Sequence, residues 1–205
     1  MRKINKQEPP ECLTAFISRQ KPRKWDEIYT PQNHHIYDTC RNTMLIMEQD
    51  YQCGYTEMPL KKENMHIDHY RKRADFPDKT FDWNNLIVAL KDNDFGADYK
   101  DNGYKIREKE YSSILNPVTD LAQSYFEYRA AGEIVPAKEL SPSEYDKAKK
   151  TIEVFNLTHR SLNNRRKKLI IDIENCRNGK MTKEDILKFY KEAGFKSVLE
   201  PLLSE

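Results

Sequence analysis

The chain has 205 residues, of which 38% are hydrophobic and 33% charged, a composition that allows one lean domain, or a domain with a smaller appendage. A net charge of +2 excludes a globally cationic nucleic-acid binder, so any phosphate contact must rest on local clusters. A polar start, no apolar run of membrane-spanning length and four scattered cysteines (Cys12, Cys40, Cys53, Cys176) point to a reduced cytosol.

Residues 1–52 read as an N-terminal arm and a helix. Pro9, Pro10, Pro22 and Pro31 break any long helix, while Leu13, Ala15, Phe16, Ile17 and Trp25 mark a segment that docks on something. From His35 onward, Tyr37, Cys40, Met44, Met47 and Tyr51 recur at spacings of three and four, one face of a helix packed in a core.

Residues 53–116 change character. Met65–Asp68 and Leu86–Leu90 are short β-prone runs around a polar loop with Pro77 and Asp78. An aspartate-rich stretch from Lys91 to Asp101 follows, read as a loop leading into a short helix.

Residues 117–205 are mostly helical with one hairpin, in which 124–128 and 133–135 flank Gly132. Ser141-Pro142 offers a cap with proline at the first helical position, and Tyr145, Ala148, Ile152 and Phe155 supply that helix's apolar face. Leu162, Leu169, Ile173 and Cys176 serve the next helix, which Gly179 can end. Thr182 with Asp185 resembles a capping box opening a last helix through Ile186 and Phe189 toward Gly194. The class expected is α+β, mostly helical around a small strand–strand–helix unit.

Chemistry concentrates at His66-Ile-Asp-His69, Phe81-Asp-Trp-Asn-Asn85 and the acidic stretch after it. Hydrolysing a phosphodiester needs a base for water, a counter-charge on the phosphate and in-line placement. An imidazole suits the first task and an adjacent carboxylate suits a hard cation. Adjacent strand residues point to opposite faces, so Asp68 and His69 are expected to converge only where the strand ends or bends. His66 lies on the Asp68 face, as a partly buried hydrogen-bonded residue or a further ligand. His34 and His35 read as exposed or partner-facing, and Trp83 as core. Bases cluster at Lys61, Lys62, Arg71, Lys72 and Arg73 and again between Arg160 and Lys168; either run could meet phosphates or be a solvated face.

Cys53-Gly-Tyr-Thr-Glu57, His66-Ile-Asp-His-Tyr70, Phe81-Asp-Trp-Asn-Asn-Leu86 and Tyr99-Lys-Asp101 together resemble the ββα-metal motif of HNH endonucleases. Pro9-Pro-Glu-Cys-Leu13, Ile114-Leu-Asn-Pro117, Ala131-Gly-Glu-Ile-Val-Pro136 and Thr151-Ile-Glu-Val-Phe-Asn-Leu157 extend the likeness to the PtuB-like nuclease subunits of Septu-type and retron-associated anti-phage systems. The resemblance implies His69 as general base, Asp68 as metal ligand and Asn85 as the brace of the loop holding His69. It implies Asp94 at the third motif position, with Asn93 and Asp98 as alternatives. Lys100 is implied as a phosphate contact, joined by Arg71, Lys72 and Arg73. One Mg²⁺ or Mn²⁺ is the implied cofactor. Of the four thiolates that pin many relatives through zinc, only Cys53 is present, with Thr56, Leu90 and Asn93 elsewhere, so no structural zinc is expected.

The implied activity is metal-dependent endonuclease action within a defence complex. The implied partners are an ABC/SMC-like, PtuA-like ATPase, a nucleic-acid substrate (DNA ahead of RNA) and a retron RNA or DNA; no membrane is involved. Two other readings stand beside this one: an inactive module that only binds nucleic acid or its partner, and a toxin-like RNase.

Overall fold

The computed structural model describes residues 1–203. Helices dominate, and two small antiparallel sheets make the class α+β. In the central sheet β1 (Met65–His69) pairs with β2 (Leu86–Leu90), in register from Met65↔Leu90 to His69↔Leu86. Every residue of β2 is buried, the mark of a short apolar strand covered on both sides. After β2 the chain enters a short helix α3 (Gly96–Asp98), which widens into a π-type turn over Tyr99–Gly103. Gly96 opens α3 with φ +77°, a left-handed conformation that glycine adopts without a Cβ penalty. The sheet and this helix form the strand–strand–helix unit at the centre of the molecule.

The N-terminal segment docks on this unit. Its helix α1 (Glu11–Gln20) buries Leu13 and Phe16, and Trp25 is buried just beyond it. Phe16 and Trp25 both pack on Phe81, with ring centroids 5.9 and 5.5 Å apart. The surface that receives this arm therefore includes the loop between β1 and β2.

Helix α2 (His34–Thr43) follows, and its apolar stripe holds for Tyr37, Cys40 and Met44. It fails beyond them: Met47 is 66% and Tyr51 54% exposed. The chain widens into a π turn over Met44–Glu48. A π turn takes more residues per revolution, which rotates the later side chains off the α-helical stripe. Leu45 is buried in this turn.

In the second sheet β3 (Phe126–Tyr128) pairs with β4 (Ile134–Pro136), and Gly132 turns the hairpin at φ +81°. Helix α4 (Pro142–Val154) starts at a Ser141–Glu144 capping box. Tyr145, assigned to its core face, is exposed. Helix α5 (Arg160–Asn178) buries Leu162, Leu169 and Ile173. Thr182 caps α6 (Lys183–Phe189), where Ile186 is buried but Phe189 is 73% exposed. A last helix α7 (Lys196–Leu202), beyond the helices expected from local patterning, buries Val198 and Leu199.

Side chains from all three stretches of the chain share one core. Glu57 ties them together: one carboxylate oxygen lies 2.6 Å from the Met1 ammonium and the other accepts from the Ser197 amide at 2.8 Å. Among the described residues no helix is long and apolar enough to cross a membrane.

Candidate active site

Pairing between β1 and β2 runs unbroken through His69, and the Tyr70 amide extends it by donating to the Asn85 carbonyl at 2.9 Å. The strand thus neither ends nor breaks between Asp68 and His69. Their side chains leave it toward different partners: Asp68 toward Tyr55 and Lys100, His69 toward Trp25 and Thr80. Both still line one cavity of about 460 Å³, together with His66, Ile67, Lys72, Arg73, Ala74 and Asp101.

His69 is buried, with the edge of its ring against Trp25 at a centroid distance of 4.7 Å. Its Nε2 lies 2.9 Å from the Thr80 carbonyl oxygen. A carbonyl only accepts, so Nε2 carries the hydrogen and Nδ1 keeps its lone pair. Among the described residues Nδ1 has no hydrogen-bond partner. Burial pulls the pKa of His69 down to about 4, against the opposing pull of the Asp68 carboxylate. The ring is therefore neutral near pH 7 and able to accept a proton.

Asp68 is nearly inaccessible. Burial alone would raise its pKa, but the Lys100 ammonium and a 2.5 Å hydrogen bond donated by the Tyr55 hydroxyl hold it below the usual carboxylate range. Tyr55 itself is buried and stacks on Phe155 at 4.6 Å. Lys100 is fully buried, 2.8 Å from Asp101, 3.8 Å from Asp68, and within 3.2 and 3.5 Å of the Tyr70 and His69 carbonyls. The expectation that Lys100 meets a phosphate is thereby corrected. With no exposure and its donors directed at these oxygens, it instead fixes the chain where it leaves β1.

Asn85 has the geometry of a clamp. Its Oδ1 accepts from the Arg71 amide at 2.8 Å, and its Nδ2 donates to the carbonyls of Arg71 and Lys79 at 3.1 and 3.0 Å. These bonds join the two ends of the loop that carries Thr80, the partner of His69.

Asp94 lies elsewhere. It is exposed, its amide donates to Asp92, its carbonyl accepts from Asn156, and it does not line the cavity. Asn93 is exposed on the same turn. The helical turns after it carry Asp98 and Asp101. Asp98 sits 3.9 Å from His66 Nε2, and Asp101 lines the cavity beside Lys100. Burial raises the Asp101 pKa to about 6, opposed by Lys100 and reinforced by Asp68. The second carboxylate at the cavity is thus Asp101, a residue to which sequence reasoning gave no role.

Among the described residues no three His, Cys, Asp or Glu side chains converge as a metal cage. The donors suited to a hard divalent ion are Asp68 and Asp101, and Mg²⁺ commonly binds through one or two carboxylates plus substrate phosphate. Of the remaining bases, Arg73 reaches Asp26 at 3.5 Å, Lys72 reaches Asp75 at 3.5 Å, and both line the cavity. Arg71 turns away from it and lies over the Phe76 ring at 4.8 Å. Cys53 is buried, and its sulfur accepts from the Leu90 amide at 3.4 Å.

No family model matches the chain. A relative from Escherichia coli, described as the candidate HNH endonuclease of retron Ec83, is 26% identical over an alignment 211 positions long, which covers 86% of this chain and 81% of the relative. The chain is thus similar, over most of its length, to a protein read as an HNH endonuclease.

Proposed function

We propose that the chain is an HNH-type endonuclease in which His69 Nδ1 takes a proton from water. One observation carries this reading: a neutral imidazole, locked in one tautomer by Thr80, opens into a cavity that also holds two carboxylates and two cationic side chains. The water oxygen attacks phosphorus, the bond to the 3′ oxygen breaks, and that oxygen takes a proton from solvent. Lys72 and Arg73 hold the phosphodiester backbone. Asp68 and Asp101 are the residues that would hold a Mg²⁺ or Mn²⁺ ion, which would supply counter-charge to the phosphate when bound. Asn85 and Lys100 position the loop and strand end that aim His69.

The retron relative supports a place in anti-phage defence. On this reading the chain is the nuclease subunit of a complex with a PtuA-like ATPase. The test is to incubate purified protein, alone and with such an ATPase, with labelled DNA, RNA and tRNA under Mg²⁺, Mn²⁺ or EDTA. Cleavage that requires the metal supports the proposal. Failure to cut any substrate in any combination contradicts it and leaves a binding module, whereas cutting confined to RNA selects the RNase reading.

A further inference from the structure

A second cavity, of about 550 Å³, is lined in part by the turn that also carries the cationic residues of the active site. Arg71 lines this cavity, while its neighbours Lys72 and Arg73 line the active-site cavity. The remaining walls are Phe76, Tyr111, Arg107, Glu108, Lys109 and Ser112.

Its floor is aromatic. Phe76 and Tyr111 meet edge-on at 5.3 Å, and the Arg71 guanidinium lies over both rings at 4.8 and 5.9 Å. The Arg71 backbone is fixed through its amide and carbonyl by Asn85. The Tyr111 hydroxyl accepts from the Lys72 amide at 3.2 Å, which joins the floor of one cavity to the wall of the other. At the rim Arg107, Glu108 and Lys109 are exposed. Arg107 bonds Glu110 through Nε, leaving its terminal nitrogens, and Lys109 Nζ has no partner among the described residues.

A guanidinium plane and a partly open phenyl ring at the base of a cleft, with cations at its rim, match the chemistry of an unpaired nucleotide. The base stacks on the plane while the adjoining phosphates meet the cations. A duplex keeps its bases stacked on each other and would use only the rim. Arg71 is oriented before any ligand arrives, which lowers the ordering cost of binding.

We propose that this cleft is a subsite for a single-stranded segment of nucleic acid, placing an unpaired base beside Arg71 and Phe76 while the neighbouring backbone reaches the cavity of His69. The proposal rests on the nuclease reading for the direction of the strand but not for the binding itself.

The test measures anisotropy of labelled single-stranded and duplex oligonucleotides, in EDTA so that the probes survive, across a salt series. The proteins are wild type, the rim variant Arg107→Ala/Lys109→Ala and the floor variant Phe76→Leu, which keeps apolar bulk but removes the ring. The rim variant is expected to flatten the salt dependence for single strands by about 1.4 in the log–log slope, from two lost phosphate contacts. Phe76→Leu is expected to weaken single-strand binding about tenfold with the slope unchanged, because the Arg71 plane on which the base stacks loses the ring beneath it, and Phe76→Trp to restore it. Duplex binding should be unaffected by Phe76→Leu. Equal losses on duplex and single strand, unchanged single-strand binding in both variants, or no single-strand binding by wild type each overturn the subsite. Cleavage by wild type with Mg²⁺ or Mn²⁺ is recorded in parallel. A protein that cuts but binds single strands alike in all variants loses the subsite and keeps the nuclease reading. One that cuts nothing yet shows the expected binding pattern does the reverse.

Discussion

Lys100 Nζ stands between two carboxylates, 2.8 Å from Asp101 and 3.8 Å from Asp68, with no exposure to solvent. Burial alone would lower its pKa, yet the two carboxylates raise it, so the ammonium is the counter-charge between buried Asp68 and half-buried Asp101. Removing one member of such a set leaves uncompensated charge. Lys100→Met is expected to destabilise the metal-free protein by about 3–5 kcal/mol near pH 7. Adding Asp101→Asn should recover part of that loss. Chemical denaturation of the two variants in EDTA checks this; equal stability of wild type and Lys100→Met would mean that Lys100 makes no such contribution.

At His69 burial prevails over the neighbouring carboxylate, and the pKa falls from 6.5 to about 4. Its ring resonances in a pH titration should stay neutral until about pH 4, with the hydrogen on Nε2. The linkage sign follows directly. Below pH 6.5 the unfolded chain binds a proton that the fold refuses, so the stability is full above that pH and is lost as pH falls toward about 4. Relative to His69→Gln, wild type should lose about 2 kcal/mol between pH 7 and pH 5. A ring that titrates at its ordinary value would contradict the burial argument.

Asn85→Ala removes three hydrogen bonds and strands the Arg71 amide and carbonyl, while the Lys79 carbonyl keeps only the Asp82 amide at 3.4 Å. The expected cost is about 2–3 kcal/mol, since buried polar groups left without partners lose their desolvation energy. Hydrogen exchange at the Arg71 amide should rise sharply, while amides within β2 keep their protection. Unchanged exchange at Arg71 would show that the loop does not depend on this side chain.

The parts that were legible in the sequence are those set by neighbours along the chain. The β1 and β2 runs, the Ser141 and Thr182 caps and the Gly132 turn each follow from local composition, and each stands within a residue or two of its expected place. Met47 and Tyr51 departed from their stripe because a π turn changes the periodicity that places side chains. Phe189 follows its helix's apolar pattern, yet no described element covers it. In the candidate site, residues adjacent in sequence were readable, whereas Trp25 and Thr80 arrive by folding and carry no motif, and Tyr55 and Asp101 stand inside motif runs that assigned them no role. Asp94 stood at the spacing of the motif, but it lies before the helix that begins at Gly96, and the carboxylate this segment brings to the cavity is Asp101. The run Tyr99-Lys-Asp101 offered one usable signal, an acid directly beside the lysine.

The most direct test compares cleavage by wild type and His69→Ala on one labelled nucleic acid with Mn²⁺, with folding of both verified by circular dichroism. Loss of the base should slow cutting by about 10²–10⁴-fold while the variant still binds the probe. A folded His69→Ala protein that cuts as fast as wild type would contradict the assignment of His69 as the base.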